Sequence, residues 1–266
     1  MIVSVVQNKV YEDIEQTKQE IESMLAQADL KKTNLLMFPE MFLCPYDNES
    51  FEKYKVKEKD EIFDWLKAIA KKYEVYLVAG SMPVKEKRSL YNRSYVFDPH
   101  GRELVHYDKA HLFKVVYPDG RVYDESEVLD AGNRFVLFDT AFGRAGLLIC
   151  FDIRFPEAVS YLASHDAKML FLPAQFNTYT GPLHWRTTMR SRAIDHQLYV
   201  IAASTARDSF GDYEPYGHSM VVDPYGEVLE ELGEEAGLFT VKLDFDKVRD
   251  VRKSIPILKN RRKELY

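Results

Sequence analysis

Only two cysteines occur in 266 residues, Cys44 and Cys150. A chain this long buries enough surface to fold without disulfides, so reduced thiols and a cytoplasmic location are expected. No apolar stretch approaches the length that spans a bilayer, which argues against a helical membrane protein. The first residues, Met1-Ile-Val-Ser-Val-Val6, have no basic stretch ahead of an apolar one, so no secretory leader is expected there. Positive charge is not in excess: 36 Lys and Arg stand against 42 Asp and Glu, a net charge of −6 with both signs interspersed. That argues against nucleic acid as the main partner. The one basic cluster, Lys259-Asn-Arg-Arg-Lys263, is too short to change this and reads as a solvated or intersubunit tail. The histidines are scattered, and no spacing gathers metal ligands. The G-x-S-x-G pattern is missing, so no serine nucleophile competes. No linker rich in Pro, Gly or Ser divides the chain, and one large α/β domain is expected.

What is present is periodic. Tyr11–Ala26 carries Ile14, Ile21, Met24 and Leu25 at helical spacing, and Lys59–Tyr73 carries Ile62, Phe63, Leu66, Ile69 and Ala70. Further helices are predicted over Phe155–His165, Leu183–His196 and Phe245–Arg252. Short apolar runs predict strands at Ile2–Val6, Asn34–Phe38, Val75–Met82, Lys168–Pro173, Leu198–Ser204 and Gly237–Leu243. Arg134–Phe138 and Arg144–Cys150 are expected to pair around Phe142-Gly143. Two similar turns, Asp98-Pro-His-Gly101 and Asp223-Pro-Tyr-Gly226, each join two strands. The similarity hints at two related halves packed on each other. Alternating strands and helices mixed with hairpins favour mixed sheets.

Cys150 ends an apolar run, Ala145-Gly-Leu-Leu-Ile-Cys150, just before a Pro and a Glu that read as a helix opening. A thiol at such a junction is exposed by the turn, near outward N–H groups and a helix N-terminus that favours negative charge. Glu40 follows the strand Leu35-Leu-Met-Phe-Pro39, and Lys109 lies just past a hairpin. Together the three could hydrolyse an amide. The carboxylate takes the thiol proton, the thiolate attacks, and the ammonium holds the oxyanion and helps depress the thiol pKa. Each residue alone also has a plainer reading: a surface charge for Glu40, a solvated loop residue for Lys109, an inert core thiol for Cys150.

Phe38-Pro-Glu-Met-Phe42, Tyr107-Asp-Lys-Ala-His-Leu-Phe113 and Leu148-Ile-Cys-Phe-Asp-Ile-Arg-Phe-Pro-Glu157 resemble the three motifs of the nitrilase superfamily of carbon–nitrogen hydrolases, in that family's order. The resemblance runs over nearly the whole chain. It implies an α-β-β-α sandwich with mixed sheets, pairing across a dimer interface, and a cofactor-free, metal-free Glu-Lys-Cys mechanism. It implies a hydrolase domain over 1–245 and a helix and tail, 246–266, at the interface of a homodimer or larger homo-oligomer. It also implies a second glutamate that orients the lysine. Tyr123-Asp-Glu-Ser126 nominates Glu125 for this, with Glu127 as the alternative and a solvated acid in the loop from Asp119 to Asp130 as the plainer one.

Within the family, Pro173-Ala-Gln-Phe-Asn-Thr-Tyr-Thr-Gly-Pro-Leu-His-Trp185, Ala206-Arg-Asp208, Tyr216-Gly-His-Ser219 and the tail from Ile255 resemble the ω-amidase branch. Gln175, Tyr179 and Leu183 depart from it. The implied activity is hydrolysis of the terminal amide of a small 2-oxo dicarboxylate monoamide through a thioester, without nucleic acid or membrane as partner. Phe151, Arg154, Phe176, Asn177 and Thr180 are the implied substrate-binding residues, with Arg186, Arg190 and Arg192 as further cations, although Arg190 and Arg192 read more readily as structural bridges to Asp195 or other acids. Deaminated glutathione, a nitrile or an N-carbamoyl compound are the alternative substrates, because all share the covalent step. A non-enzymatic scaffold is disfavoured by the presence of all three motif residues.

Overall fold

The structure is a computed structural model that describes residues 1–57, 60–118, 120 and 122–265. Lys59, the expected start of a helix, Asp119 in the acidic loop and Tyr266 lie outside the described residues.

In chain order the first half is β1 (Ile2–Gln7), α1 (Ile14–Gln27), β2 (Leu35–Met37), α2 (Asn48–Lys53), β3 (Val56–Lys57), α3 (Glu61–Tyr73), β4 (Tyr76–Val78), β5 (Met82–Glu86), β6 (Ser89–Phe97) and β7 (Glu103–Asp108). A small hairpin follows, β8 (Lys114–Val116) and β9 (Val122–Asp124). The second half is β10 (Val136–Thr140), β11 (Gly143–Leu147), α4 (Pro156–Ser164), β12 (Met169–Pro173), α5 (Gly181–His196), β13 (Tyr199–Ala203), β14 (Met220–Val222) and β15 (Val228–Glu231). Then come β16 (Gly237–Lys242), α6 (Phe245–Ser254) and α7 (Ile257–Asn260).

The two halves repeat one topology. β16-β1-β2-β4-β6, with β7 beside β6, matches β10-β11-β12-β13-β14-β15 strand for strand. In each set the second, third and fourth strands are parallel and the rest antiparallel. The two Asp-Pro-x-Gly turns share their hydrogen bonds as well. Asp98 Oδ1 accepts from His100 and Arg102 N–H at 2.8 and 2.9 Å, and Asp223 Oδ1 from Tyr225 and Glu227 N–H at 2.9 Å each. The suggested internal repeat is therefore present in the sheets themselves.

Strand alternation builds the layers, because successive side chains point to opposite faces. Val3, Val5, Leu35, Met37 and Val78 pack in one core with Leu147, Met169, Phe171 and Ile201 of the second sheet. Their neighbours Val6, Leu36 and Leu77 pack on Ile21 and Leu25 of α1 and on Phe63 and Leu66 of α3. α4 and α5 cover the outer face of the second sheet with Val159, Leu162, Trp185 and Met189. The result is an α-β-β-α sandwich. No helix among the described residues is long and apolar enough to cross a membrane.

The expected strand Val75–Met82 is two strands with a turn between them. At Gly80 φ is +53°, and a Cβ there would stand 2.1 Å from the carbonyl oxygen of Pro39. Only glycine permits this approach. It lets Ser81 clamp the next segment: its N–H donates to Pro39 O at 3.1 Å, and its Oγ accepts from Met41 N–H at 3.1 Å. Glu40 sits between those two bonds.

Candidate active site

Glu40, Lys109 and Cys150 all leave the ends of strands. Glu40 follows β2, where parallel strands end and crevices form in α/β sheets. Lys109 directly follows β7, its N–H donating to Asn92 O at 2.9 Å. Cys150 stands three residues past β11 with φ +41°, a strained value for a residue with a Cβ, at the start of a 3-10 turn over Cys150–Arg154. α4 does not begin until Pro156, so the thiol does not sit at an α-helix N-terminus as expected.

The structure brings the motif residues together in a dry cluster. Glu40, Lys109 and Glu125 are fully buried or nearly so, and Cys150 is 5% exposed. Lys109 Nζ donates to Glu40 Oε1 at 2.8 Å and to Glu125 Oε1 at 3.0 Å. Glu125 Oε2 also accepts from Phe113 N–H at 2.6 Å, fixing the loop that follows the lysine. Of the two nominated glutamates, Glu125 therefore meets the lysine. Glu127 is exposed and accepts from Asn48 Nδ2 at 3.1 Å.

Tyr46 and Asn92 complete the cluster, and sequence reading did not single them out. Tyr46 OH donates to Glu125 Oε1 at 2.6 Å and lies 3.2 Å from Lys109 Nζ. Asn92 Nδ2 donates to Glu40 Oε1 at 2.9 Å. Glu40 Oε1 is thus crowded with donors, while its Oε2 is buried with no hydrogen bond of good geometry. The Gln175 N–H points at Cys150 Sγ, 3.5 Å away.

Electrostatics follow from burial. Burial raises the Glu40 pKa; Lys109 opposes this and Glu125 adds to it. Burial pulls Lys109 down, but Glu125 and Glu40 outweigh it and hold the ammonium charged. The Cys150 thiol is pushed well above its ordinary value by burial first and by the negative Glu40 second; Lys109 and the Gln175 N–H only partly offset them. Lys109 lowers the thiol pKa as expected, but burial and Glu40 outweigh it, so the net shift is upward. Burial thus disfavours charge on both the thiol and the neighbouring Glu40 side chain.

A cavity of about 390 Å³ opens beside the cluster, lined by Tyr46, Tyr117, Asn177, Tyr179 and Tyr213 among others. Of the implied substrate-binding residues, Asn177 lines it, and Thr180 donates to Asn177 Oδ1 through both N–H and Oγ1 at 2.9 and 3.0 Å. Phe176 packs edge-on against Trp185, with the Arg154 guanidinium 4.5 Å above its ring. Phe151 packs edge-on against Phe113. Among the described residues, no carboxylate lies within ion-pair distance of Arg154, whereas Arg186 pairs with Glu231, and Arg190 and Arg192 bond to backbone oxygens. Among the described residues, no group of three or more His, Cys, Asp and Glu is placed to hold a metal ion.

Comparison with known proteins agrees with this fold. The family model for carbon-nitrogen hydrolase matches residues 2–253. The chain is 39% identical to mouse Omega-amidase NIT2 over 92% of its length and 88% of the mouse protein, and 38% identical to the human one over the same shares. Among solved structures, Saccharomyces cerevisiae Nit3, a member of branch 10 of the nitrilase superfamily, superposes with a TM-score of 0.89 at 34% identity, covering 98% of this chain and 96% of that one. The C. elegans NitFhit protein superposes with a TM-score of 0.91 at 30% identity, over all of this chain and 66% of that one. With the sandwich, the motif order and a match along almost the whole length in agreement, this chain belongs to the carbon–nitrogen hydrolases of the nitrilase superfamily and is an enzyme of that class.

Proposed function

We propose that this enzyme hydrolyses the terminal amide of a small 2-oxo dicarboxylate monoamide, as an ω-amidase does, through a thioester on Cys150. The observation that carries the reading is the thiol set beside a carboxylate whose Oε2 has no other partner, in a chain similar to Omega-amidase NIT2.

The steps need no group beyond side chains, backbone and water. Glu40 Oε2 takes the thiol proton as sulfur attacks the amide carbon. The carbonyl oxygen becomes an oxyanion, held by Lys109 Nζ and by the N–H of Phe151. The C–N bond breaks, nitrogen takes the proton back from Glu40, and ammonia leaves a thioester. Glu40 then deprotonates a water that attacks the thioester carbon, the C–S bond breaks, and the sulfur regains its proton. Glu125 keeps Lys109 aimed throughout.

Arg154 is the cation we assign to the substrate's carboxylate. It is partly buried, stacked on Phe176, and its Nη1 lies 3.1 Å from His184 Nδ1, so its direction is fixed before substrate arrives. Burial draws its pKa down, and negative charge on Cys150 or Tyr213 would push it back up. Asn177, held by Thr180, is the polar wall of the pocket. The described rim carries Asp47, Asp212 and Glu214, which disfavour a second carboxylate at the mouth. Ammonia release from 2-oxoglutaramate, run beside deaminated glutathione, tests the reading. Faster release from deaminated glutathione would overturn the substrate assignment and leave the chemistry.

A second copy of the chain is the partner we propose for the face of α4 and the tail. Tyr161, Ile255, Ile257 and Leu265 are exposed there, more apolar surface than a solvated tail needs. Light scattering should give twice the 31.0 kDa chain mass or a larger multiple, and a clean monomer would refute it. The compartment we propose is the cytoplasm, where both thiols stay reduced.

A further inference from the structure

We propose that Asp152 is a positioning residue: its single buried carboxylate sets where Lys109 stands relative to Cys150. The proposal rests on the reading of these two residues as the oxyanion donor and the nucleophile.

Asp152 is fully buried in the 3-10 turn, and the hydrogen bonds of its carboxylate lead to no reacting side chain. They go to two separate pieces of chain. On one side Oδ2 accepts from the N–H of Ile149, the residue before the nucleophile, at 3.0 Å, while Asp152 N–H returns a bond to Ile149 O at 3.0 Å. This closes the tight turn in which Cys150 holds its positive φ. On the other side Tyr107 OH donates to Oδ2 at 2.8 Å, and Oδ1 accepts from His111 N–H at 2.9 Å and from His111 Nδ1 at 2.7 Å. Tyr107 and His111 flank Lys109 by two residues on either side. His111 is fixed further by stacking on Phe155, 3.8 Å between ring centres. The loop bearing the lysine therefore hangs from Asp152 in its middle and from Glu125 at Phe113.

The chemistry of the carboxylate matters here, not only its bulk. An ionised carboxylate has two oxygens and about four acceptor sites, and four donors converge on this one. Two of those donors are backbone N–H groups, Ile149 on Oδ2 and His111 on Oδ1, and a backbone N–H cannot become an acceptor. An amide of the same shape has one acceptor oxygen. Whichever way the new side chain turned in an Asp152→Asn protein, one N–H would face its NH2 group, so either the nucleophile's turn or the lysine's loop would be released. Tyr107→Phe is gentler: it removes the hydroxyl that donates to Asp152 and accepts from Ala110 N–H at 3.3 Å, but leaves both backbone bonds to the carboxylate.

The test measures kcat and KM separately in Asp152→Asn and Tyr107→Phe. It also follows the pH dependence of Cys150 alkylation by iodoacetamide, read by peptide mass spectrometry with buried Cys44 as internal reference. Misplacing a reacting group by an ångström costs on the order of 10²-fold, so kcat should fall by about that factor in Asp152→Asn with KM nearly unchanged. Tyr107→Phe should lose roughly tenfold, the worth of one hydrogen bond to a charged group. In both, the alkylation profile should move to higher pH, because the ammonium that favours the thiolate has shifted away. A fall in melting temperature with kcat and the alkylation profile unchanged would overturn the proposal, as would a rise in KM with kcat kept. If Asp152→Asn does not fold, Tyr107→Phe decides by the same outcomes. Alkylation needs no substrate. A native Cys150 no more reactive than Cys44 would instead refute the nucleophile itself, and the two failures stay distinct.

Discussion

Replacing Glu125 by Gln separates the charge of the second glutamate from its shape. The carboxylate accepts from Tyr46 OH and Lys109 Nζ on Oε1 and from Phe113 N–H on Oε2, with Oε2 also 2.9 Å from Lys109. A glutamine has one acceptor oxygen. If its NH2 replaces Oε2, it meets the Phe113 N–H; if it replaces Oε1, it meets the lysine. Either way a buried donor loses one acceptor, at about 1–3 kcal/mol. Lys109 keeps only Glu40 as counter-charge, so the loss stays below the ~3–5 kcal/mol of a fully broken buried pair. Each kcal/mol lowers the melting temperature of a chain of this size by roughly 2–4 °C, so a fall of several degrees is expected. Loss of a well-aimed oxyanion donor costs about 10²–10³ in kcat, and a loosened Lys109 should approach that. The pH profile gives the sharper check. Glu125 helps raise the Glu40 pKa, so removing its charge should move the acid limb of kcat/KM to lower pH while the rate falls. Ammonia release measured across pH on both proteins decides it. An unchanged kcat, or an acid limb that moves upward, would refute the role given to Glu125.

Three further outcomes follow from the same geometry. Glu40 has a raised pKa in the fold, so its contribution to stability is present at low pH and is lost as pH rises through the folded value. Glu40→Gln should therefore gain in melting temperature relative to the native chain as pH rises, while turnover is abolished; melts at several pH values check this, and a difference independent of pH would count against it. Gly80→Ala forces a Cβ against Pro39 O and should lower both stability and kcat, because the turn holding Glu40 must open; retention of native kcat and melting temperature would show the turn to be dispensable. Arg154→Met should raise KM for 2-oxoglutaramate much more than for a short neutral amide, and equal effects on both would remove Arg154 from carboxylate binding.

Much of the frame was legible because period and capping are local. α3 buries the five residues that the sequence marks, and α1 starts at Ile14 because Asp13 caps it, its side chain accepting from Glu15 N–H. The paired Asp-Pro-x-Gly turns disclosed the repeat, since an aspartate that bonds its own turn needs no distant partner. What stayed hidden depends on chain segments far apart. Asn92 reaches Glu40 only because β6 lies beside β4, and Tyr46 enters the cluster from a loop with no periodic pattern. The pair Glu125 and Glu127 differs by two residues in one short turn, so only the fold separates the buried acid from the exposed one. The lysine's pull on the thiol was legible in the motifs, whereas the burial that outweighs it depends on the folded chain. Expected as one strand, Val75–Met82 breaks at Gly80 because β2's exit needs that space.

The most direct test of the central claim is intact-protein mass spectrometry on acid-quenched mixtures of enzyme and 2-oxoglutaramate, with Cys150→Ala in parallel. The account predicts an adduct equal to substrate less ammonia, mapped to the peptide bearing Cys150, and neither adduct nor ammonia release from the variant, whose rate should fall by ~10⁴ or more. Turnover retained in Cys150→Ala, or an adduct mapped to another residue, would contradict it.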